Sequence, residues 1–264
     1  MADKKSILII VTSAGKYEKV GFRTGLWLGE LTHFWDVAKD AGFDLTIASI
    51  DGGHVPLDPE SLAHDVLGQL GTDKRYADRE FMNLLEDTMS VADVNVADYD
   101  AIYLPGGHGV MFDFPQSEKL ASLITGFYES DKIVAAVCHG PAGLLNVRLS
   151  NGDYLVKDKD VTGFSWPEEE LAQRGEAVPF RLQDDVGVKR LVGEGVLPSA
   201  LLQVVLQAER DGLAALSELL FGPRETSDIL VRDQVVAVTE PDVDHPGPFR
   251  GRPRRRSCRT RRTR

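Results

Sequence analysis

The sequence predicts an α/β protein with an open, mostly parallel sheet that helices cover on both sides. Two observations lead to this prediction. Short apolar runs alternate with helix-like stretches, and the first of these runs, SILIIVTS, is continuous rather than apolar at every second position. Strands of a parallel sheet are buried on both faces and therefore read as continuous apolar runs. Their alternation with helices predicts right-handed crossovers.

The first half of the sheet is read from two apolar runs. SILIIVTS at 6–13 predicts the first strand, and FDLTIASI at 43–50 predicts the second. Thr24 to Ala41 predicts a helix between them, since its leucines and aromatic residues recur at helical spacing and Gly42 closes it. A loop rich in Gly and Pro follows, and then an acidic, mostly helical stretch around Phe81–Leu85.

The second half of the sheet contains the strand ends of interest. YDAIYLPGGHG at 99–109 predicts a strand that runs into a glycine turn, 117–130 predicts a helix, and KIVAAVCHG at 132–140 predicts another buried strand. Ligands of such sheets bind beyond the carboxyl ends of the strands. The residues that follow these two strands are therefore the first candidates for a site.

The C-terminal region gives a weaker pattern from about Val186 onward. Residues 201–221 predict a helix, and ILVRDQVVAVTE at 229–240 predicts two short strands or one bent strand. The Arg-rich end has no apolar periodicity and is expected to be disordered. We therefore predict a single α/β domain over 1–249 and a disordered tail over 250–264.

Composition excludes several classes of protein. Of the 264 residues, 42% are hydrophobic and 27% charged, a globular balance. No apolar run approaches the ~20 residues that cross a bilayer, and the N-terminal sequence lacks the features of a secretory signal. These observations predict a cytoplasmic protein without a membrane partner. The two cysteines, Cys138 and Cys258, predict no disulfide framework.

The charge is distributed unevenly along the chain. The formal net charge is −11, but residues 250–264 hold nine arginines and no acid, which leaves −20 for residues 1–249. Because nucleic-acid binding depends on Lys and Arg that neutralise phosphates, the acidic body should repel nucleic acid, and only the tail could attract it.

Cys138 occupies a turn where a thiol could be reactive. It follows the strand Ile133–Val137 and precedes Gly140 and Pro141, where a helix could begin. This is the geometry of a nucleophile elbow, and a helix N-terminus favours the thiolate. The alternative is a small buried hydrophobic residue, as most free cysteines are. We predict an unusually acidic thiol that mild peroxide oxidises before Cys258.

The PGGHG turn could supply backbone donors beside this thiol. Glycines let backbone N–H groups approach a ligand closely. We predict that N–H groups of Gly106, Gly107 and His108, with that of His139, form an oxyanion hole that binds substrate. The alternative is an ordinary tight turn. No dinucleotide-binding G-x-G-x-x-G can be written through it.

No metal site is predicted from the remaining histidines. His33, His54 and His64 show no ligand-like spacing relative to one another. Solvated or hydrogen-bonded structural histidines are the preferred interpretation.

Several motifs together resemble one known family. SILIIVTSAGKY, the first helix with Glu30, LPGGHGVMFDFP, IVAAVCHGPAGLL and VTGFSWPEEE occur in this order. The combination resembles the ThiJ/PfpI superfamily of class I glutamine-amidotransferase-like proteins, and within it the glyoxalase III and heat-shock-chaperone branch. The resemblance covers about residues 5–185 and implies a flavodoxin-like three-layer sandwich.

The same resemblance implies a set of catalytic residues. They are a nucleophilic Cys138, its neighbour His139, an acid at the helix start after VTGF, and Glu30 as hydrogen-bond partner of the thiol. Glu169 is the expected acid of the run Glu168–Glu170, although acids also favour a helix N-terminus for structural reasons. Glu30 lies among largely apolar neighbours, where an unpaired charge would be costly.

The function implied is a glutathione-independent glyoxalase, a cofactor-free lyase that converts a small 2-oxoaldehyde such as methylglyoxal into a 2-hydroxy acid such as lactate. We also expect a homodimer. Alternatives within the superfamily are a stress chaperone, a redox sensor or a deglycase-type member. An amidotransferase is disfavoured because only His245 follows His139.

The chain departs from that branch after VPFRLQDD. The N-P-x-S loop and closing helix that usually follow are missing. In that branch, the loop and the closing helix help to shape the pocket.

Overall fold

A computed structural model describes residues 5–157, 159, 161 and 163–185, together with the backbone of three later strands. Its eight strands form one sheet. The strands are β1 (Ser6–Val11), β2 (Asp44–Ser49), β3 (Met89–Ser90), β4 (Ala101–Leu104), β5 (Ile133–Val137), β6 (Leu202–Leu206), β7 (Val231–Arg232) and β8 (Val235–Thr239). Four of them, β1, β2, β4 and β5, lie within the runs that the sequence predicts as strands.

The sheet has a parallel part and an antiparallel part. Its strand order is β3-β2-β1-β4-β5-β6-β8-β7. The first five strands in this order are mutually parallel, whereas β6, β7 and β8 pair antiparallel. The prediction of a mostly parallel sheet in an α/β sandwich is confirmed.

Helices of very different lengths connect the strands. The α-helices are α1 (Leu28–Asp40), α2 (His64–Leu70), α3 (Asp73–Ala77), α4 (Arg79–Asn83), α5 (Val110–Asp113), α6 (Glu118–Glu129), α7 (Trp166–Leu171) and α8 (Leu182–Asp185). Short 3-10 helices span Pro59–Leu62, Val91–Asp93, Val96–Asp98, Phe114–Gln116 and Gly140–Leu144.

Two apolar cores lie on opposite faces of the sheet, because successive side chains of a strand point in opposite directions. On β1, Leu8 and Ile10 belong to the core that includes the apolar face of α6. Ile7 and Ile9 belong to the other core, which includes the apolar face of α1. The result is the three-layer arrangement that the sequence predicts, with the carboxyl ends of β4 and β5 at one edge.

The first helix begins later than predicted. It was expected from Thr24, but it starts at Leu28 because the preceding residues run extended. Leu26 forms a β-bridge with Leu57, and the Thr24 hydroxyl donates to Asp58 at 2.8 Å. These long-range contacts override local helical periodicity.

The predicted helix over 201–221 is wrong at its start. Leu202–Leu206 is a strand that pairs antiparallel with β5. Its adjacent valines are β-branched and favour a strand, and pairing satisfies the edge of β5. The prediction of two short strands over 229–240 is confirmed by β7 and β8. The remainder of 201–221 and the predicted tail at 250–264 lie outside the described residues.

Within the part of the chain that the structure describes, no helix combines the length and apolarity that crossing a bilayer requires.

Candidate active site

Cys138 sits at a strained turn directly after β5. Its φ angle is 55°, in the left-handed region that residues with a side chain rarely adopt. A Cβ on Gly140 would lie 2.1 Å from the carbonyl oxygen of Leu104, so the turn packs against the end of β4 and requires glycine there. The short 3-10 helix Gly140–Leu144 follows. This is the strand-to-helix turn that the sequence predicts, and such strain is found where a side chain is presented for chemistry.

The Cys138 thiol is surrounded by hydrogen-bonding groups. Its Sγ lies 3.2 Å from Nδ1 of His139. The Glu30 side chain also hydrogen-bonds the thiol, and the backbone N–H groups of Gly107 and His139 donate to the sulfur. The four groups converge on an atom that is almost inaccessible to solvent, since Cys138 is 8% exposed.

Glu30 lies on the first turn of α1 and is buried. The backbone N–H of Gly106 donates to its Oε2 at 2.5 Å. A Cβ on Gly106 would lie 3.0 Å from the Cys138 Cβ and 3.0 Å from Glu30 Oε2, so only glycine fits between them. The expectation that the Gly106 N–H binds substrate therefore needs correction. That donor already satisfies the buried carboxylate, which would otherwise be costly to bury.

The thiol is not acidic, contrary to the sequence prediction. Burial, followed by the charge and the hydrogen bond of Glu30, raises the pKa of Cys138 well above its ordinary value, while the N–H groups of Gly107 and His139 act in the opposite direction. The helix start that was expected to stabilise the thiolate is a 3-10 helix of only five residues. The predicted preferential oxidation by peroxide loses its physical basis.

The His139 ring contacts the Cys138 sulfur through one nitrogen and Glu169 through the other. Nε2 of His139 lies 2.8 Å from Glu169 Oε1, and both side chains are buried. If the neutral imidazole donates from Nε2 to the carboxylate, its Nδ1 carries no proton and faces the Cys138 sulfur. This is the arrangement of nucleophile, imidazole and orienting acid found in catalytic triads.

The three glutamates of the run Glu168–Glu170 make different contacts. Glu168 caps α7 through the backbone and side chain of Ser165, and Glu170 accepts a hydrogen bond from the indole of Trp166 at 2.8 Å. Only Glu169 of the three is buried. The structure therefore places Glu169, the residue expected from the sequence, beside His139.

His108 makes a contact that the sequence analysis missed. Its Nε2 lies 3.0 Å from Glu169 Oε2, so the carboxylate is held between two histidines. The expectation for His108 concerned a backbone donor to substrate, whereas its ring binds the orienting acid. The available signal was that His108 and His139 both follow strands that end at one edge of the sheet.

The two histidines govern the protonation of this group. Burial alone would raise the pKa of Glu169, but hydrogen bonds from His108 and His139 hold it at about 2. Burial, and then the His108 ring, lowers the pKa of His139 to about 4 against the opposing effect of Glu169. At neutral pH, Glu169 is therefore ionised and His139 neutral.

His108, His139 and Glu169 are also the group in the described residues whose ligand-type atoms lie close enough to hold a metal ion, within 4.8 Å of one another. The spacing of His33, His54 and His64 predicted no metal site, and the sequence pattern gave no sign of this cluster. Both Nε2 atoms are engaged with the carboxylate, and the Nδ1 of His139 faces the thiol. As arranged, the cluster orients an imidazole through hydrogen bonds.

Comparison with known proteins identifies the family. The DJ-1/PfpI family model matches residues 25–179, which is more than half of the chain. The match includes Glu30, Cys138, His139 and Glu169. The chain belongs to the DJ-1/PfpI family. The resemblance seen in the sequence motifs is thereby confirmed.

The relatives include enzymes and solved structures. Glutathione-independent glyoxalase HSP31 of Saccharomyces cerevisiae is 33% identical over 169 residues, which cover 62% of this chain and 70% of the relative. Glyoxalase 3 of Candida albicans is 32% identical over 164 residues, 60% of this chain and 68% of the relative.

Among solved structures, Rapid Encystment Protein 24 kDa of Francisella tularensis superposes with a TM-score of 0.68 at 37% identity, over 74% of this chain and 87% of that protein. Glyoxalase III from Candida albicans superposes with a TM-score of 0.61 at 28% identity, over 72% of this chain and 84% of that protein. These likenesses support the same sandwich fold.

Proposed function

We propose that this protein is a glutathione-independent glyoxalase that converts a 2-oxoaldehyde such as methylglyoxal into the corresponding 2-hydroxy acid. The observation that carries the proposal is the convergence of Glu30 and His139 on the Cys138 sulfur. Relatives at about 30% identity that bear the name glutathione-independent glyoxalase support it. The reaction needs a nucleophile, a proton carrier and donors for an oxyanion, and this site offers each.

The first step is addition of Cys138 to the aldehyde carbon C1. Because the thiol is protonated at neutral pH, its proton passes to Glu30 as the S–C1 bond forms. The oxygen of C1 gains negative charge beside the N–H groups of Gly107 and His139, which stabilise it. Return of the proton from Glu30 to this oxygen gives a hemithioacetal and restores the carboxylate.

The second step moves a hydrogen from C1 to C2. The Glu30 carboxylate removes the C1 proton, which gives an enediolate across C1 and C2, and then returns this proton to C2. The proton of the C1 hydroxyl passes to the C2 oxygen, which leaves a thioester of Cys138 with the 2-hydroxy acid. C1 is oxidised by two electrons and C2 is reduced by two, so this step needs no external oxidant or reductant.

The third step is hydrolysis of the thioester. His139, oriented by Glu169 through its Nε2, has its Nδ1 beside the sulfur and hence beside C1. It activates a water that attacks C1, the S–C1 bond breaks, and the sulfur recovers a proton. The net change is addition of one water to the 2-oxoaldehyde.

The decisive experiment follows lactate formation from methylglyoxal by purified protein without glutathione. Wild-type protein should produce lactate, and Cys138→Ala should produce none above the uncatalysed rate. Cys258→Ala is the matched control, because it removes the other thiol of the chain and should retain activity. Equal activity of wild type and Cys138→Ala would refute the proposal.

The same variants separate the enzyme from a chaperone. A holdase depends on exposed apolar surface rather than on a thiol. If Cys138→Ala protects a heated client protein as well as the wild type does, and the wild type forms no lactate, the chaperone alternative replaces the lyase.

A further inference from the structure

A second histidine holds the free oxygen of the orienting carboxylate. His139 binds Oε1 of Glu169 at 2.8 Å, and His108 binds Oε2 at 3.0 Å. Each oxygen of the carboxylate thus accepts one imidazole N–H. A carboxylate held at both oxygens cannot rotate about its terminal bond without breaking a charge-assisted hydrogen bond.

The His108 ring is itself held on several sides. It lies against His139 with ring centroids 4.2 Å apart, against Tyr17 at 5.4 Å and against Phe164 at 6.0 Å. Its backbone follows Gly107, whose φ is 93° and whose added Cβ would meet the Gly25 carbonyl oxygen at 2.3 Å. The glycine turn therefore aims the ring at Glu169.

We propose that His108 is a positioning residue, whose Nε2–H fixes Glu169 so that the other oxygen of the carboxylate is aligned with His139. The inference rests on the proposed roles of His139 and Glu169. Aromatic packing alone would be served by a phenylalanine, but the ionised, buried Glu169 needs a donor at Oε2.

Removal of the His108 ring should have an electrostatic consequence. Three titratable groups contact His139, namely Cys138, His108 and Glu169. Glu30 lies across the thiol and Tyr17 across His108. Burial and the His108 ring together hold the pKa of His139 at about 4. Without the ring, His139 should take up a proton at higher pH, and the acid limb of activity should move toward neutrality.

The test compares two substitutions of one residue. His108→Gln places an amide N–H near the position of Nε2, whereas His108→Leu offers no donor. His108→Leu should lower kcat about 10–100-fold, the scale for loss of a hydrogen bond to a charged group, with little change in KM. His108→Gln should recover activity to within a few-fold of wild type. In His108→Leu the acid limb of the pH profile should shift upward.

A second readout does not depend on glyoxalase activity. The rate at which iodoacetamide alkylates Cys138, read on its own peptide by mass spectrometry, reports the contact of His139 with the thiol. His108→Leu and His108→Gln should both change the pH profile of this rate, because both remove the ring, and they should do so even if the wild type forms no lactate. Melting temperatures establish that each variant is folded.

Two results would overturn the inference. One is full activity and an unchanged alkylation profile in His108→Leu. The other is equal impairment of His108→Gln and His108→Leu with no shift in either pH profile, which would reduce His108 to a packing residue.

Discussion

Replacement of Glu30 by glutamine should separate proton transfer from the shape of the site. Glutamine keeps the length of the side chain and a carbonyl oxygen that accepts the Gly106 N–H, which donates to Glu30 Oε2 at 2.5 Å. It removes the group that receives the thiol and C1 protons. A positioned acid–base group contributes ~10²–10⁴-fold to rate, which corresponds to about 3–5 kcal/mol of activation free energy. We expect a loss of kcat in this range.

The assay is steady-state lactate formation from methylglyoxal at neutral pH, with the melting temperature measured in parallel. Glu30→Asp is the companion variant, because it keeps the charge but withdraws the carboxylate from Cys138 and Gly106. It should retain more activity than Glu30→Gln if charge at this position matters most. A kcat of Glu30→Gln within about tenfold of the wild-type kcat would show that another group carries the protons.

Four further outcomes follow from the structure. Alkylation of Cys138 should accelerate throughout the range up to its ordinary pKa of 9.0, and a plateau near neutral pH would contradict the raised pKa. Glu169→Gln should reduce turnover about 10²-fold or more, whereas Glu170→Gln, which alters an exposed residue bound to the partly buried indole of Trp166, should not. The pKa of His139 is about 4 in the folded protein and 6.5 ordinarily, so between these pH values the unfolded chain binds a proton that the folded protein does not. Stability against urea should therefore fall as the pH drops from 6.5 to about 4, and His139→Gln should make this fall smaller. Truncation after Phe249 should leave the melting temperature unchanged, and a large decrease would show that the basic tail docks on the acidic body.

Most strands of the parallel sheet could be predicted because strands that are buried on both faces consist of consecutive apolar residues. Residues 6–11, 101–104 and 133–137 are continuous apolar runs, as strands covered on both faces must be. The two-residue strand Met89–Ser90 carries no such run and was missed. Local pattern also failed at Leu202–Leu206, where pairing with β5 decided between helix and strand.

The sequence predicted which residues form the site better than it predicted their chemical state. Cys138, His139 and Glu30 were expected together because the motifs that contain them resemble those of the ThiJ/PfpI superfamily. The acidity of the thiol was predicted wrongly because it depends on depth of burial and on the charge of Glu30, which only the folded structure supplies. The contact of His108 with Glu169 joins residues 61 apart, and no local pattern reports it.

The most direct test of the central claim is lactate formation from methylglyoxal by the full-length protein with no glutathione present. The account predicts turnover by wild type and by Cys258→Ala, and no turnover by Cys138→Ala. Turnover that is unaffected by loss of Cys138, or the absence of lactate from a folded wild-type protein, would contradict it.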